Sequence, residues 1–197
     1  IQHRPRFKVL LAGSHTLDEL QRWSSYLINV QVIHISYLRE DEARQLIERP
    51  VKDFALHYEP EAAQRVLALT RGHPFLTQLI CAEIVAFKNE QPPAVRRLAR
   101  LADVEAACPA ALEHGRFFFA DIERNQVDAM GAALLRFLAA QGEGKSVAPA
   151  LLARQFPDEG RLEQALVRLT RRELIEWADG GWRFQVEMIR RWFERGR

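Results

Sequence analysis

Cysteine is scarce in this chain, and the scarcity excludes a disulfide scaffold. Cys81 and Cys108 are the only two thiols in 197 residues. Neither belongs to a C-x-x-C pair, and two residues do not make a disulfide framework. A reducing, cytoplasmic setting is the expectation. Long apolar runs are also missing: none approaches the roughly 18 residues that a membrane helix needs. Nor is there an excess of either charge, with 28 Lys and Arg against 26 Asp and Glu. Long-range attraction to nucleic acid or anionic lipid is therefore not a property of the whole chain.

Catalytic signatures are absent as well. The six histidines are scattered, without H-E-x-x-H or other metal-ligand spacing. Ala12-Gly13-Ser14-His15-Thr16 is not G-x-S-x-G, because Ala12 holds the first glycine position. Gly144-Lys145-Ser146 resembles the end of a P-loop, but Ala139 stands where the first glycine should be. The tripeptide also follows a helical segment, whereas a P-loop follows a strand and opens a helix. It reads as a polar loop. No apolar strand ends in the acidic pair that would hold Mg²⁺. Phosphoryl transfer needs a lysine-bearing loop, a metal and a positioned water, so no catalytic residue and no metal ligand is assigned, and hydrolysis by this chain alone is not expected.

What is present is a strong pattern of elements. Phe7-Lys8-Val9-Leu10-Leu11-Ala12 reads as a buried strand. Thr16 and Glu19 form a capping box for a helix to about residue 28. A second strand is expected over 30–35. Strand, helix and strand make a βαβ unit that needs further strands to cover it. That need, and a first residue other than Met, fit a piece of a longer protein. From residue 38 the pattern turns helical. One helix is expected over 38–48, one from Pro60 to about residue 71, and one opened by Pro74, with Gly72 as a left-handed stop between the last two. Residues 94–124 read as one or two helices, with Cys108-Pro109 as a kink or boundary. In Phe117-Phe118-Phe119 packing is the expected role.

The last seventy residues read as three helices, a hairpin and a closing helix. Val127, Met130, Leu134, Phe137 and Leu138 mark the first helix, and 149–155 the second. Asp158 caps the third, over 159–172. Asp179-Gly180-Gly181 joins two strands, 174–178 and 182–186, with Trp177, Trp182, Phe184 and Val186 as packing residues. A short helix over 187–195 follows. This is the order of a winged helix.

Several stretches together resemble one family. Ile35-Ser36-Tyr37-Leu38-Arg39-Glu40-Asp41-Glu42-Ala43, Glu48-Arg49-Pro50-Val51, Tyr58-Glu59-Pro60-Glu61-Ala62 and Arg71-Gly72-His73-Pro74-Phe75-Leu76-Thr77-Gln78-Leu79 are similar to the STAND class of signal-transducing ATPases, relatives of the AAA+ and origin-recognition ATPases. The resemblance implies a mainly α chain in three parts. These are the end of an α/β P-loop ATPase core (1–37), a helical lid with a G-x-P motif (38–124) and a winged helix (125–197). It implies that Pro74, with Gly72 and His73, contacts the adenine of ATP or ADP, and that Ser14 lies at the tip of a sensor strand facing the γ-phosphate. ATP or ADP with Mg²⁺ would then be held by an upstream nucleotide-binding core of the same polypeptide, itself an ATPase, and not tightly by this chain. The implied role is a regulatory switch in signalling.

The third helix of the winged segment carries Arg161, Arg168, Arg171 and Arg172 on one arc. Such an arc can touch DNA phosphates, which makes a DNA-binding regulator the alternative reading. Residues 125–197 hold twelve Lys and Arg against ten Asp and Glu, with Glu173, Glu176 and Asp179 close to the arginines. A dedicated DNA binder carries a clearer basic surface. A protein partner or intramolecular docking is favoured over DNA.

Overall fold

The structure, a computed structural model, describes residues 36–196. The two strands and the helix expected before residue 36, and Ser14 with them, lie outside the described residues. Ser36–Arg197 cluster as one compact unit.

The described chain is mainly helical, with a small parallel β pair and a C-terminal β-hairpin. Helix α1 spans Glu40–Glu48. It is short and exposed, and it buries only Ala43 and Ile47. Three acidic residues in its first turn complement the helix dipole. Strand β1 (His57–Tyr58) leads into α2 (Pro60–Thr70). Pro60 sits in the first turn, where its missing N–H breaks no helical bond. The expected inner face is buried: Ala63, Val66, Leu67 and Thr70. The helix ends one residue earlier than the sequence suggests. Arg71 already adopts a left-handed conformation at φ 53°, and Gly72 follows at φ 76°.

Helix α3 (Pro74–Asn89) turns back from this point and packs on α4 (Leu101–His114) and α1. Leu76, Ile80 and Ile84 are fully buried on it, while Phe75 is exposed. Between α3 and α4 the chain is not helical over 94–100. Instead β2 (Leu98–Ala99) pairs in parallel with β1, His57 opposite Leu98 and Tyr58 opposite Ala99. Pro109 lies inside α4 and is not a boundary; the helix runs on to His114 and stops at Gly115. A Cβ on Gly115 would come within 2.6 Å of the Leu79 side chain, so the close approach of α3 leaves no room for a side chain there.

A buried ion pair fastens α3 to α4. Lys88 Nζ donates to Asp103 Oδ2 at 3.0 Å and to Gln91 Oε1 at 2.8 Å. The same Asp103 oxygen accepts the Arg100 N–H at 2.8 Å. Both charges are thus paired and hydrogen-bonded, which is the condition for keeping them in an apolar interior.

Helix α5 (Arg116–Asp121) and a π-helical turn (Ile122–Gln126) lead into the C-terminal part. The triple phenylalanine splits: Phe119 is buried, Phe118 partly so, and Phe117 is 77% exposed with the Arg116 guanidinium over its ring. Helices α6 (Ala129–Ala139), α7 (Pro149–Gln155) and α8 (Glu159–Arg171) follow. Asp128 and Asp158 cap α6 and α8 through the amides of Gly131 and Arg161. Each cap of this kind stabilises a helix by about 1 kcal/mol. Strands β3 (Ile175–Ala178) and β4 (Gly181–Phe184) form an antiparallel hairpin with Trp177 opposite Trp182. Asp179 (φ 52°) and Gly180 (φ 76°) both lie in the left-handed region, the geometry of a two-residue turn matched to strand twist. Val147 adds a bridge to Trp182. Phe184 and Val186 are buried as expected, but Trp177 is 54% exposed and only edges against Trp182. Helix α9 (Glu187–Arg195) closes the unit against α6 and α2. Its Trp192 stacks on Phe119, rings 5.3 Å apart.

Candidate functional site

The turn between α2 and α3 brings together the residues the sequence singles out there. Its backbone is fixed from both sides. The Thr70 carbonyl accepts the His73 N–H at 2.9 Å, and the Gly72 carbonyl accepts the Leu38 N–H at 2.9 Å. Below it, the Thr77 hydroxyl donates to Thr70 Oγ1 at 3.0 Å, and the Thr70 hydroxyl donates to the Val66 carbonyl at 2.9 Å. These buried hydroxyls knit the end of α2 to the start of α3.

His73 is the N-cap of α3. Its Nδ1 accepts the Leu76 N–H at 3.5 Å, and its carbonyl accepts the Thr77 N–H at 2.9 Å. Pro74 has no N–H to offer. The helix start therefore has few amides left for a phosphate, and what it presents is the partly exposed proline ring. Burial pushes the His73 imidazole below the usual histidine range, against an opposing backbone hydrogen bond. The neutral ring, with Nδ1 as acceptor, is what the cap requires. Aromatic rings surround it: Tyr37 at 5.1 Å, Phe118 at 5.3 Å edge-on, and Phe75 beyond Phe118 at 4.8 Å. Spacing in the sequence does not place Tyr37 or this phenylalanine pair in the site: Phe75 is marked only by its closeness to the turn, and Phe118 by nothing.

Contacts also run from the turn to the hairpin. Arg71 Nη2 donates to Glu176 Oε2 at 3.0 Å, and Arg183 Nε donates to the other Glu176 oxygen at 2.9 Å. The Tyr37 hydroxyl donates to the Glu173 carbonyl at 3.3 Å, and the Ser36 hydroxyl donates to the Glu173 carboxylate at 3.4 Å. Burial raises the Tyr37 phenol far above its ordinary range, with the Glu173 charge adding to it. Tyr37 stays protonated and can only donate through that hydrogen.

The α8 arginines are in part committed elsewhere. Arg168 Nη2 lies 2.6 Å from Asp128 Oδ2, and Arg161 Nε lies 3.3 Å from Asp158 Oδ2. Arg172 is half-buried and interacting, and Arg171 is exposed. Arg161 stands in the first turn of α8 and the other three at its C-terminal end, and two of the four face carboxylates of their own chain.

Gly144-Lys145-Ser146 lies in the loop between α6 and α7, with Gly142 and Gly144 in left-handed conformations and open space around both. The tripeptide follows a helix and not a strand. Of two shallow surface depressions, one is lined by residues 48–54 and His57, the other by Arg44, Pro60, Gln64, Arg65 and Leu101; neither includes the Gly72-His73-Pro74 turn. Among the described residues no group of His, Cys, Asp and Glu is arranged to hold a metal ion, and no helix is long and apolar enough to cross a membrane. Burial raises both thiols to about 11, and both pack with the hydrophobic core, Cys108 within it and Cys81 against it. No family model matches the chain, and no curated protein matches it.

Proposed function

We propose that this chain is the regulatory end of a nucleotide-dependent signalling switch. In this reading residues 38–124 are a helical lid and residues 125–197 a winged helix. A nucleotide-binding core earlier in the same polypeptide holds ATP or ADP with Mg²⁺ and supplies any hydrolysis. Pro74 lies against the adenine face, Gly72 lets the backbone turn, and His73 holds the first turn of α3 in place. The amides of that turn are largely taken by His73, which favours contact with a base over contact with phosphate.

One observation carries the reading. The Arg71-Gly72-His73-Pro74 turn is tied to other parts: to Leu38 through the Gly72 carbonyl, to Tyr37 through the His73 ring, and through Arg71 to Glu176 on the hairpin. A ligand that contacts Pro74 would lie three residues along the backbone from Arg71, whose ion pair with Glu176 leads to the hairpin. A switch requires contacts that differ between two ligand states, and this path is where such a difference would be passed on. The internal ion pairs of Arg161 and Arg168 favour a protein as the recipient over DNA.

The test is ADP binding to the full-length protein that includes the upstream residues, followed by fluorescence of a labelled nucleotide. Pro74→Ala should weaken ADP about ten-fold, equivalent to about 1.4 kcal/mol, with the melting temperature unchanged. Absence of nucleotide affinity in the full-length protein would sink the switch reading. Intact affinity in Pro74→Ala would remove Pro74 from the site.

A further inference from the structure

A separate cluster joins α2, α4, α9 and the loop after α6. Arg65 of α2 and Arg191 of α9 direct their guanidinium groups at the same two carboxylates. Glu105 of α4 accepts Arg65 Nε at 2.5 Å and Arg191 Nη1 at 3.0 Å. Glu143 accepts both terminal nitrogens of Arg65, Nη2 at 2.9 Å, and Arg191 Nη2 at 3.3 Å. Two parallel N–H bonds to one carboxylate are the strong, planar form of arginine recognition.

The two carboxylates are mounted differently. Glu105 is fixed in the middle of α4. Glu143 stands between Gly142 at φ 96° and Gly144 at φ 66°, and a Cβ on either glycine would meet nothing within 4 Å. The backbone bonds of this loop stay local: Gly142 N–H donates to the Ala139 carbonyl at 3.3 Å, and Lys145 N–H to the Gly142 carbonyl at 3.4 Å. The Glu143 side chain is what fastens the loop to α2 and α9. The Arg65 hydrogen bonds hold its carboxyl at about 2, outweighing the opposing effect of burial.

We infer that Arg65 and Arg191 form a carboxylate-binding fork, that the chain closes this fork with its own Glu143, and that an acidic side chain of a protein partner can take the place of Glu143. Charge balance selects that chemistry. Arg65, Arg190 and Arg191 face Glu105, Glu143, Glu187 and Glu194 in one continuous network. Withdrawing Glu143 leaves equal numbers of both signs. One carboxylate restores the present balance, whereas a phosphate dianion would add a further charge beside Glu105. The tethered Glu143 competes at an effective concentration in the millimolar range, so a free acid displaces it only at comparable concentrations, and a partner does so at lower ones by bringing additional contacts. Opening frees a loop that continues into Val147, the residue bridged to Trp182 of the hairpin.

The test uses the 197-residue chain with Glu143→Ala and two probes, acetyl-Gly-Glu-Gly-amide and acetyl-Gly-Gln-Gly-amide. The side-chain N–H signals of Arg65 and Arg191 are followed by NMR. The glutamate probe should shift both signals with a millimolar dissociation constant, about two- to five-fold tighter than in the unsubstituted protein. The glutamine probe should shift neither. Glu143→Gln, which preserves side-chain shape, serves if the alanine variant folds poorly. No shift with the glutamate probe in a folded variant, equal shifts with both probes, or equal affinity in the unsubstituted protein would each overturn the inference.

Discussion

Gly72 and Leu38 are in backbone contact: the Leu38 N–H donates to the Gly72 carbonyl, and a Cβ on Gly72 would lie 2.5 Å from the Leu38 carbonyl oxygen. The glycine is also left-handed, at φ 76°. Two separate constraints thus exclude a side chain. Gly72→Ala should destabilise the protein by about 1–3 kcal/mol through strain and steric conflict. Urea unfolding measures it, and a loss under about 0.5 kcal/mol would mean that the Leu38 segment yields easily.

His73 should make stability depend on pH. Its folded-state pKa lies below the unfolded value of about 6.5 because burial disfavours the cation. As pH falls through the unfolded value, the unfolded chain takes up the proton first, and stability declines until the folded pKa is passed. His73→Asn keeps an acceptor for the Leu76 N–H and removes the titration. Between pH 7.5 and pH 5 the urea midpoint should fall less in the variant than in the parent. Equal falls would show that the other histidines govern the response.

The Lys88–Asp103 pair should be costly to break and cheap to replace. Asp103→Ala leaves a buried ammonium group without its carboxylate, a loss of about 3–5 kcal/mol. Lys88→Met with Asp103→Asn removes both charges while keeping an acceptor for the Arg100 N–H. The double variant should recover most of that loss in thermal melts. A double variant as unstable as Asp103→Ala would show that the pair itself, and not the stranded charge, sets the stability.

Arg71 and Glu176 should couple weakly but measurably. Arg71 is half exposed, and Glu176 is shared with Arg183. A double-mutant cycle should give about 0.5–1 kcal/mol between them. Glu176→Ala alone should cost more than Arg71→Ala, because it also removes one of the two carboxylates that Arg183 faces, leaving Asp179. A coupling indistinguishable from zero would remove the polar path from turn to hairpin.

Much of the helical frame is legible in the sequence because its punctuation is local. Pro60, Pro74 and Pro149 open helices, Asp158 caps one, and Asp179-Gly180 sets the hairpin turn. Each acts within three or four residues. The β1–β2 pair escapes that reading, since two strands of two residues each show no alternation, and they meet forty residues apart in sequence. Pro109 misleads for the opposite reason: a proline is strong local evidence of a break, yet burial of Val104, Ala107, Cys108, Ala111 and Leu112 along one face holds the helix through it. The rings about His73 and the fork at Glu143 depend on long-range contacts, which spacing does not encode.

The Val147 bridge has one more consequence, for how the hairpin meets other chains. At Trp182, in the middle of β4, the backbone N–H and carbonyl are both bonded to Val147, at 2.9 and 2.8 Å. An intruding strand would have to displace Val147 to add along β4. The side of β3 is left as the accessible edge, and the exposed Trp177 stands on it. Unwanted strand addition, the usual hazard of exposed edges, is thereby confined to one flank of the sheet, and a lysine or proline placed in β3 is the economical way to block it.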